Sequence, residues 1–303
     1  FMKKKIALLL CSTGNEAFAV GNVIIGAKKY LFQNLSAEDY DIIFLTDKLE
    51  SKDENALKNI FPRIIIKIYK SPFSKEMLNL RELNHFSSFT YARFEAFNLL
   101  EKYEKVFYVD TDIVIQKDIS EIINIKSPLA ISYFANKMPV SGNFTKENIN
   151  LVKGYDLNKV SIIAAVFLIN DTINNYQIMS KWCYDKAEEY KTNDQSILNL
   201  LIQEFNIETH DLTESYGAYP TSTIAENSHI IHAIGPAKFW RGTYNKEWEE
   251  NNKIWIEAGG NITYEENAKK RKQIDKIVWF IPTFKLRDKV RRYLLKKIGL
   301  TGR

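Results

Sequence analysis

An alternation near the start of the chain constrains its fold more than any other feature. Short apolar runs at Ile6–Leu10, Asp41–Leu45, Ile64–Tyr69 and Val106–Val109 are separated by helical patterns over Phe18–Phe32, Lys52–Ile60 and Phe89–Leu100. Runs this apolar, without a polar residue at every second position, suit strands covered on both faces, and the intervening helices supply the covers. The pattern predicts an α/β class protein with a mostly parallel, twisted central sheet flanked by helices.

Further strands are read at Ile113–Ile115, Leu129–Tyr133 and Val160–Ile169, and further helices over Met179–Tyr190 and Asp194–Glu204. Ser87 and Ser88 suit the cap of the helix through Phe89. Residues 136–158, rich in Asn, Lys, Gly and Ser, show little periodicity, and so long a segment reads as a binding loop or lid. Residues 211–228 read as irregular, with Gly217 and Pro220 as breakers. The one compositional boundary lies near Thr283, giving a body over 2–282 and a tail over 283–303.

The tail carries eight basic side chains against Asp288, a charge of +7, while the other 282 residues sum to −2. The body is therefore not a nucleic-acid binder by charge. Leu286, Val290, Tyr293, Leu294 and Ile298 recur in the tail at helical spacing, the profile of an in-plane helix on an anionic membrane surface. Two cysteines, Cys11 and Cys183, permit neither a disulfide framework nor a zinc spacing, so a reducing, cytosolic compartment is the expectation. Lys3-Lys4-Lys5 followed by Ile6–Cys11 is too short for a signal peptide and reads as a first strand. No apolar run reaches the length of a membrane span.

Two constellations carry chemistry. In Val106-Phe107-Tyr108-Val109-Asp110-Thr111-Asp112, two carboxylates stand one residue apart past the end of an apolar strand, where open α/β sheets place their ligands. Apolar runs on both sides leave them no obvious route to the surface, and buried carboxylates call for a counter-charge, for which a divalent cation is well suited. Oxygen ligands favour magnesium or manganese. In His229-Ile230-Ile231-His232-Ala233-Ile234-Gly235-Pro236-Ala237-Lys238, a histidine ends a second apolar strand. A Gly-Pro turn then brings a lysine back, pairing a metal ligand with a phosphate cation.

Together these blocks resemble glycosyltransferase family 8, the retaining GT-A transferases that include bacterial lipooligosaccharide α-galactosyltransferases. The family's Tyr-x-Asp-x-Asp matches Tyr108, Asp110 and Asp112. Its later His-x-x-Gly-x-x-Lys block matches His232, Gly235 and Lys238, with Phe239 in place of the proline before Trp240. Thr90-Tyr91-Ala92-Arg93 and Asn193-Asp194-Gln195-Ser196-Ile197-Leu198-Asn199 resemble two more blocks, in matching order over roughly residues 5–242. Three further departures stand beside Phe239. Thr13 and Glu16, around Asn15, stand near where an acidic residue and a tyrosine grip uracil. Ile163-Ala164-Ala165 replaces Asn-Ala-Gly, and Ser196 stands where a second carboxylate is common.

The resemblance implies a GT-A-type, single Rossmann-like catalytic domain that moves a hexose from a UDP-sugar, UDP-galactose or UDP-glucose, to a glycan or lipid-linked glycan acceptor. It implies manganese or magnesium on Asp110, Asp112 and His232. Cys11, Thr13, Asn15, Arg93, Thr111, Gly235 and Lys238 would line the donor. Asp194 would be a nucleophile or sugar acceptor, and Gln195 would stabilise an oxocarbenium-like centre; Asp194 also reads as a helix N-cap. Residues 136–158 and 211–228 would shape the acceptor site. The implied place is the inner face of the cytoplasmic membrane, in bacterial surface polysaccharide synthesis. Two readings stand beside it: a catalytically silent relative that binds nucleotide or glycan as a partner subunit, and a metal-dependent nucleotidyltransferase or phosphatase.

Overall fold

The computed structural model describes residues 3–74 and 88–298. Strand β1 (Ile6–Cys11) is buried along its whole length. Its side chains alternate between two cores, Ile6, Leu8 and Leu10 entering one and Ala7, Leu9 and Cys11 the other. A strand apolar at every position must sit centrally, because both of its faces need cover. It pairs in parallel with β2 (Tyr40–Thr46) and β4 (Lys105–Val109), and β2 pairs in parallel with β3 (Ile65–Ile68). The strand expected over Ile113–Ile115 forms as β5 but belongs to a separate small sheet.

The main sheet continues through β6 (Leu129–Tyr133), β7 (Ile162–Asn170) and β8 (Thr209–Asp211) in the order β3-β2-β1-β4-β7-β6-β8. β7 runs antiparallel to both β4 and β6, and β6 pairs in parallel with β8. The sheet is thus mostly parallel, with one reversed strand beside the strand that carries the acidic motif. The small sheet has the order β5-β10-β9, from β9 (Tyr216–Ala218) and β10 (Ile230–His232). Residues 211–228 are therefore less irregular than the sequence suggests: three-residue strands are too short to show a period, and only their pairing with β10 defines them.

Helices cover both faces. α1 (Ala17–Tyr30) and α2 (Ser51–Ile60) pack into the core holding Leu8, and α3 (Glu95–Leu99), α4 (Tyr176–Tyr190) and α5 (Asp194–Glu204) into the core holding Leu9. The helix expected over 89–100 is mostly a 3₁₀ segment, Ser88–Phe94, before the short α3. In that winding Arg93 Nε donates back to the Thr90 carbonyl, a local bond available to the tighter turn. Ser87, expected as a cap, lies outside the described residues. At α5 the cap is Asn193, whose side chain accepts the Ser196 N–H at 2.8 Å, so Asp194 is the first helical residue rather than the cap.

After the small sheet, α6 (Lys246–Glu257) lies on α1, followed by α7 (Thr263–Trp279) and α8 (Phe284–Lys297). Asn245 caps α6 by accepting the Trp248 N–H at 3.0 Å. The indole of Trp255 is fully buried between two glycines: an added Cβ at Gly21 would lie 2.4 Å from it, and one at Gly260 2.0 Å. This close approach fixes α6 to the helix that follows β1. Cys11 and Cys183 are both free and buried.

Candidate active site

The chain folds so that the C-terminal ends of the parallel strands β1 and β4 open at one edge, the usual ligand position of an open α/β sheet. Asp110 follows β4 directly, and its N–H donates to the Ala165 carbonyl of β7 at 2.8 Å. Asp112 precedes β5, and its carbonyl accepts the Ala233 N–H at 2.9 Å. β10 runs antiparallel to β5 with His232 opposite Ile113. Residues far apart in sequence are thus brought together by a strand ladder.

His232 Nε2 lies 3.2 Å from Asp112 Oδ1 and 3.8 Å from Asp110 Oδ2. Lys238 Nζ pairs with the other Asp112 oxygen and lies over the Trp240 ring, 5.5 Å from its centroid. The turn that returns Lys238 to Asp112 passes through Gly235 in the left-handed region, φ +65°. Burial opposes charge on Asp112, but His232 and then Lys238 outweigh it and hold its carboxyl well below the ordinary range. Burial likewise works against a charged His232, yet Asp112 and then Asp110 raise it.

Arg93 forms the second half of the site. Its guanidinium is buried, with Nη2 donating to Asp110 Oδ1 at 2.9 Å and Nη1 to the Ala164 carbonyl at 2.6 Å. Nε pairs with Asp194 Oδ2 at 3.0 Å. One side chain therefore bridges the carboxylate after β4 and the carboxylate opening α5. Burial disfavours its charge, but Asp110 and Asp194 outweigh that and raise it further. Asp194 is raised chiefly by burial, with Arg93 opposing. The pair is favourable for the guanidinium and burdened for the carboxylate, as expected of a desolvated ion pair.

Of the other residues singled out in the sequence, Cys11 and Thr111 are buried at the ends of β1 and β4. Thr13 and Asn15 lie on the turn after β1, which is held where Gly14 N–H donates to Asp47 Oδ1 at 2.9 Å. Gln195 is not free: its Oε1 accepts the Ala164 N–H at 3.2 Å and its Nε2 donates to Asn143 Oδ1 at 2.8 Å. Asn143 comes from the 136–158 segment, so that segment braces α5. His229 stands apart from the site, stacked on Tyr216 with Nδ1 2.7 Å from Ser215 Oγ.

Two residues that the sequence blocks contain, but to which no role in the cluster was given, also contribute. Tyr108 donates to Asp110 Oδ1 at 2.6 Å and lies under Arg93, 4.7 Å from ring centroid to guanidinium carbon. Its signal was the strand period, since residues 108 and 110 share a face. Glu16 is raised by burial, with Lys238 opposing and Asp112 reinforcing, so it too faces the cluster.

Ligand atoms of Asp110, Asp112 and His232 all lie within 4.8 Å of one another. Two carboxylates and one imidazole nitrogen converging at this spacing fit a divalent cation of the manganese or magnesium kind, and Lys238 sets a positive charge beside Asp112. Among the described residues, no helix is long and apolar enough to cross a membrane.

The sequence model of Glycosyl transferase family 8 matches residues 10–243. Among solved structures, the chain is similar to the bifunctional glycosyltransferase WbbM in its apo form. Identity is 18% and TM-score 0.57, over 89% of this chain and 52% of that one, so it spans about half the WbbM chain. It is also similar to the galactosyltransferase LgtC in complex with donor and acceptor sugar analogues, at 16% identity and TM-score 0.59, over 86% of this chain and 99% of LgtC. The apo glycosyltransferase GlyE of Streptococcus pneumoniae TIGR4 follows at 15% identity and TM-score 0.52, over 84% of this chain and 63% of GlyE. At these identities the likeness is one of fold. None of the curated proteins compared matches the chain.

Proposed function

The chain belongs to glycosyl transferase family 8, and from that premise we propose that it is a metal-dependent, retaining hexosyltransferase. In this reading it moves galactose or glucose from a UDP-sugar to a glycan or lipid-linked glycan. The observation that carries the proposal is the convergence of Asp110, Asp112 and His232, with Lys238 on Asp112. Breaking the glycosidic bond of a sugar nucleotide develops negative charge on the departing diphosphate. A divalent cation held by Asp110, Asp112 and His232 supplies fixed positive charge for that oxygen cluster. Lys238 swings from Asp112 to the diphosphate and adds its own charge. Thr13 and Asn15 flank the base, and Cys11, Thr111 and Gly235 line the donor.

Arg93 sets the distance between the diphosphate side of the site, at Asp110, and the sugar side, at Asp194. Asp194 then presents its second oxygen towards the sugar as a nucleophile or a hydroxyl acceptor. Gln195 is a positioning residue while it spans Ala164 and Asn143, and it presents its amide oxygen to the anomeric centre on release from that N–H. The domain assignment follows the same reading, with catalysis in 2–282 and the tail 283–303 on an anionic membrane surface. Support for the latter is the basic α8 together with the exposed Trp279 (67%) and Phe280 (80%) just before it.

The test is nucleotide release from a panel of UDP-sugars, with manganese and with chelator. Metal-dependent release from one donor, lost in Asp112→Ala and His232→Ala with unchanged circular dichroism, is the expected result. Equal release in both variants with chelator present refutes the metal assignment. UDP and manganese raising the melting temperature without release from any donor favours the silent, nucleotide-binding relative.

A further inference from the structure

The first turn of α5 meets the 136–158 segment at Asn143, and that residue makes two separate kinds of contact. Its backbone carbonyl accepts the Ser196 hydroxyl at 3.1 Å and the Asn193 side-chain amide at 3.3 Å, which braces the helix. Its side chain acts on a different group: Oδ1 accepts Gln195 Nε2 at 2.8 Å. Any residue at 143 offers the first contact, whereas the second needs a side-chain acceptor at this reach.

Main-chain groups decide which way each amide points here, because a carbonyl only accepts and an N–H only donates. The Val140 carbonyl, 3.1 Å away, fixes Asn143 Nδ2 on its own side, where the same nitrogen also donates to Ser161 Oγ at 2.8 Å. Ser161 gives its proton to the Ile162 carbonyl and takes Asn199 Nδ2 at 3.0 Å, so it has none left for Asn143. Asn199 is fixed in the same way, Oδ1 on the Ile162 N–H at 3.1 Å and Nδ2 on the Gln195 carbonyl at 2.9 Å. Asn143 Oδ1 is thereby left facing Gln195, and Gln195 must answer with its nitrogen. Gln195 Oε1 then takes the N–H of Ala164, at 3.2 Å, the residue whose carbonyl holds Arg93.

We propose that Asn143 is a positioning residue for the reaction: it holds Gln195 by the nitrogen, so that the amide oxygen is the end turned towards the Arg93–Asp194 side of the site. The proposal rests on the glycosyltransferase reading above and adds a residue to it. The two orientations of a carboxamide fill nearly the same space, so packing does not choose between them and hydrogen bonds must. The choice matters chemically. A centre that gains positive charge as its glycosidic bond breaks is stabilised by the oxygen end of an amide dipole and opposed by the N–H end. With Nε2 kept on Asn143 as a pivot, Oε1 is the atom that leaves the Ala164 N–H for the sugar.

The test uses the full chain and two readouts. With selective ¹⁵N-glutamine labelling, the Gln195 side-chain amide is identified by its loss in Gln195→Glu. Its resonance should move and lose exchange protection in Asn143→Leu, and keep both in Asn143→Asp, which retains the acceptor. Turnover is read as nucleotide release, with manganese, from the UDP-sugar that the parent uses. Asn143→Leu should lower kcat about tenfold with KM for the donor unchanged, the worth of one orienting hydrogen bond, and Asn143→Asp should restore most of it. In a Gln195→Ala background, Asn143→Leu should cost nothing further in kcat. Asn148→Ala loosens the same segment by removing the 3.2 Å bond from Asn148 Nδ2 to the Lys191 carbonyl, and should lower the melting temperature while leaving kcat and the Gln195 resonance alone. An unmoved Gln195 resonance in Asn143→Leu, an Asn143→Asp no better than Asn143→Leu, or losses that multiply in the double variant overturns the proposal. Absence of metal-dependent release from every UDP-sugar overturns the underlying reading instead, and the Gln195 resonance still decides whether Asn143 orients the amide.

Discussion

The bridge made by Arg93 gives the sharpest quantitative expectation. Replacing it by methionine keeps most of the buried volume and removes the charge between Asp110 and Asp194. Breaking a buried ion pair from one side costs about 3–5 kcal/mol, because the remaining charge stays desolvated. At about 2 °C per kcal/mol for a long chain, the melting temperature of Arg93→Met should fall by about 6–10 °C in chelator. Asp194 is already raised by burial and rises further once Arg93 is gone. A folded-state carboxyl raised above its unfolded value binds a proton that the unfolded chain does not. Stability therefore falls as pH rises through the folded value, and the deficit should shrink as pH drops from about 7 towards 5. Adding Asp194→Leu to Arg93→Met should recover part of the loss, since the unpaired carboxylate disappears with it. A single variant melting within about 2 °C of the parent, or a double variant that simply adds two losses, would refute the bridge as described.

Other expectations follow from the packing and the surface. Gly21→Ala drives a Cβ into the Trp255 ring and should cost about 1–3 kcal/mol by chemical denaturation, whereas Gly217→Ala, with open space at its Cβ, should cost far less. Asp47 is lowered because the N–H groups of Gly14 and Lys48 together outweigh its burial. Its contribution is present above the unfolded carboxyl value and lost as pH falls through the folded one, so melting curves of the parent and Asp47→Ala should converge progressively as pH falls below the unfolded carboxyl value of about 3.9. Deleting 283–303 should abolish cosedimentation with anionic vesicles, and salt should weaken binding of the full chain; unchanged sedimentation of the truncated chain removes the tail from the membrane reading.

The sheet was legible because β1, β2 and β4 are apolar at nearly every position and leave only one way to be covered. The acidic pair and His232 were legible as blocks at strand ends. Less was visible where structure depends on partners. β9 exists only through β10, and the 3₁₀ winding before α3 accompanies an arginine that bonds to groups on β4, β7 and α5. The role of Asn143 was hidden for the same reason: its segment has no period, and its function is to brace Gln195 from outside. Asn193 was passed over as the cap because Asp194 is equally suited by type, and what separates them is the extended backbone of Asn193 and its bond from the Ser196 N–H.

The ladder between β5 and β10 has a consequence for assembly. Lys238 and Asp112 are 126 positions apart, and His232 reaches Asp112 only when β10 zips onto β5. Closing so long a loop is slow compared with forming the β1–β2 contacts, where Ile6 pairs with Tyr40. Capture of a divalent cation should accordingly be a late event, absent from a nascent chain that has not yet delivered residue 232. Manganese protection would then time the last step of maturation rather than the first.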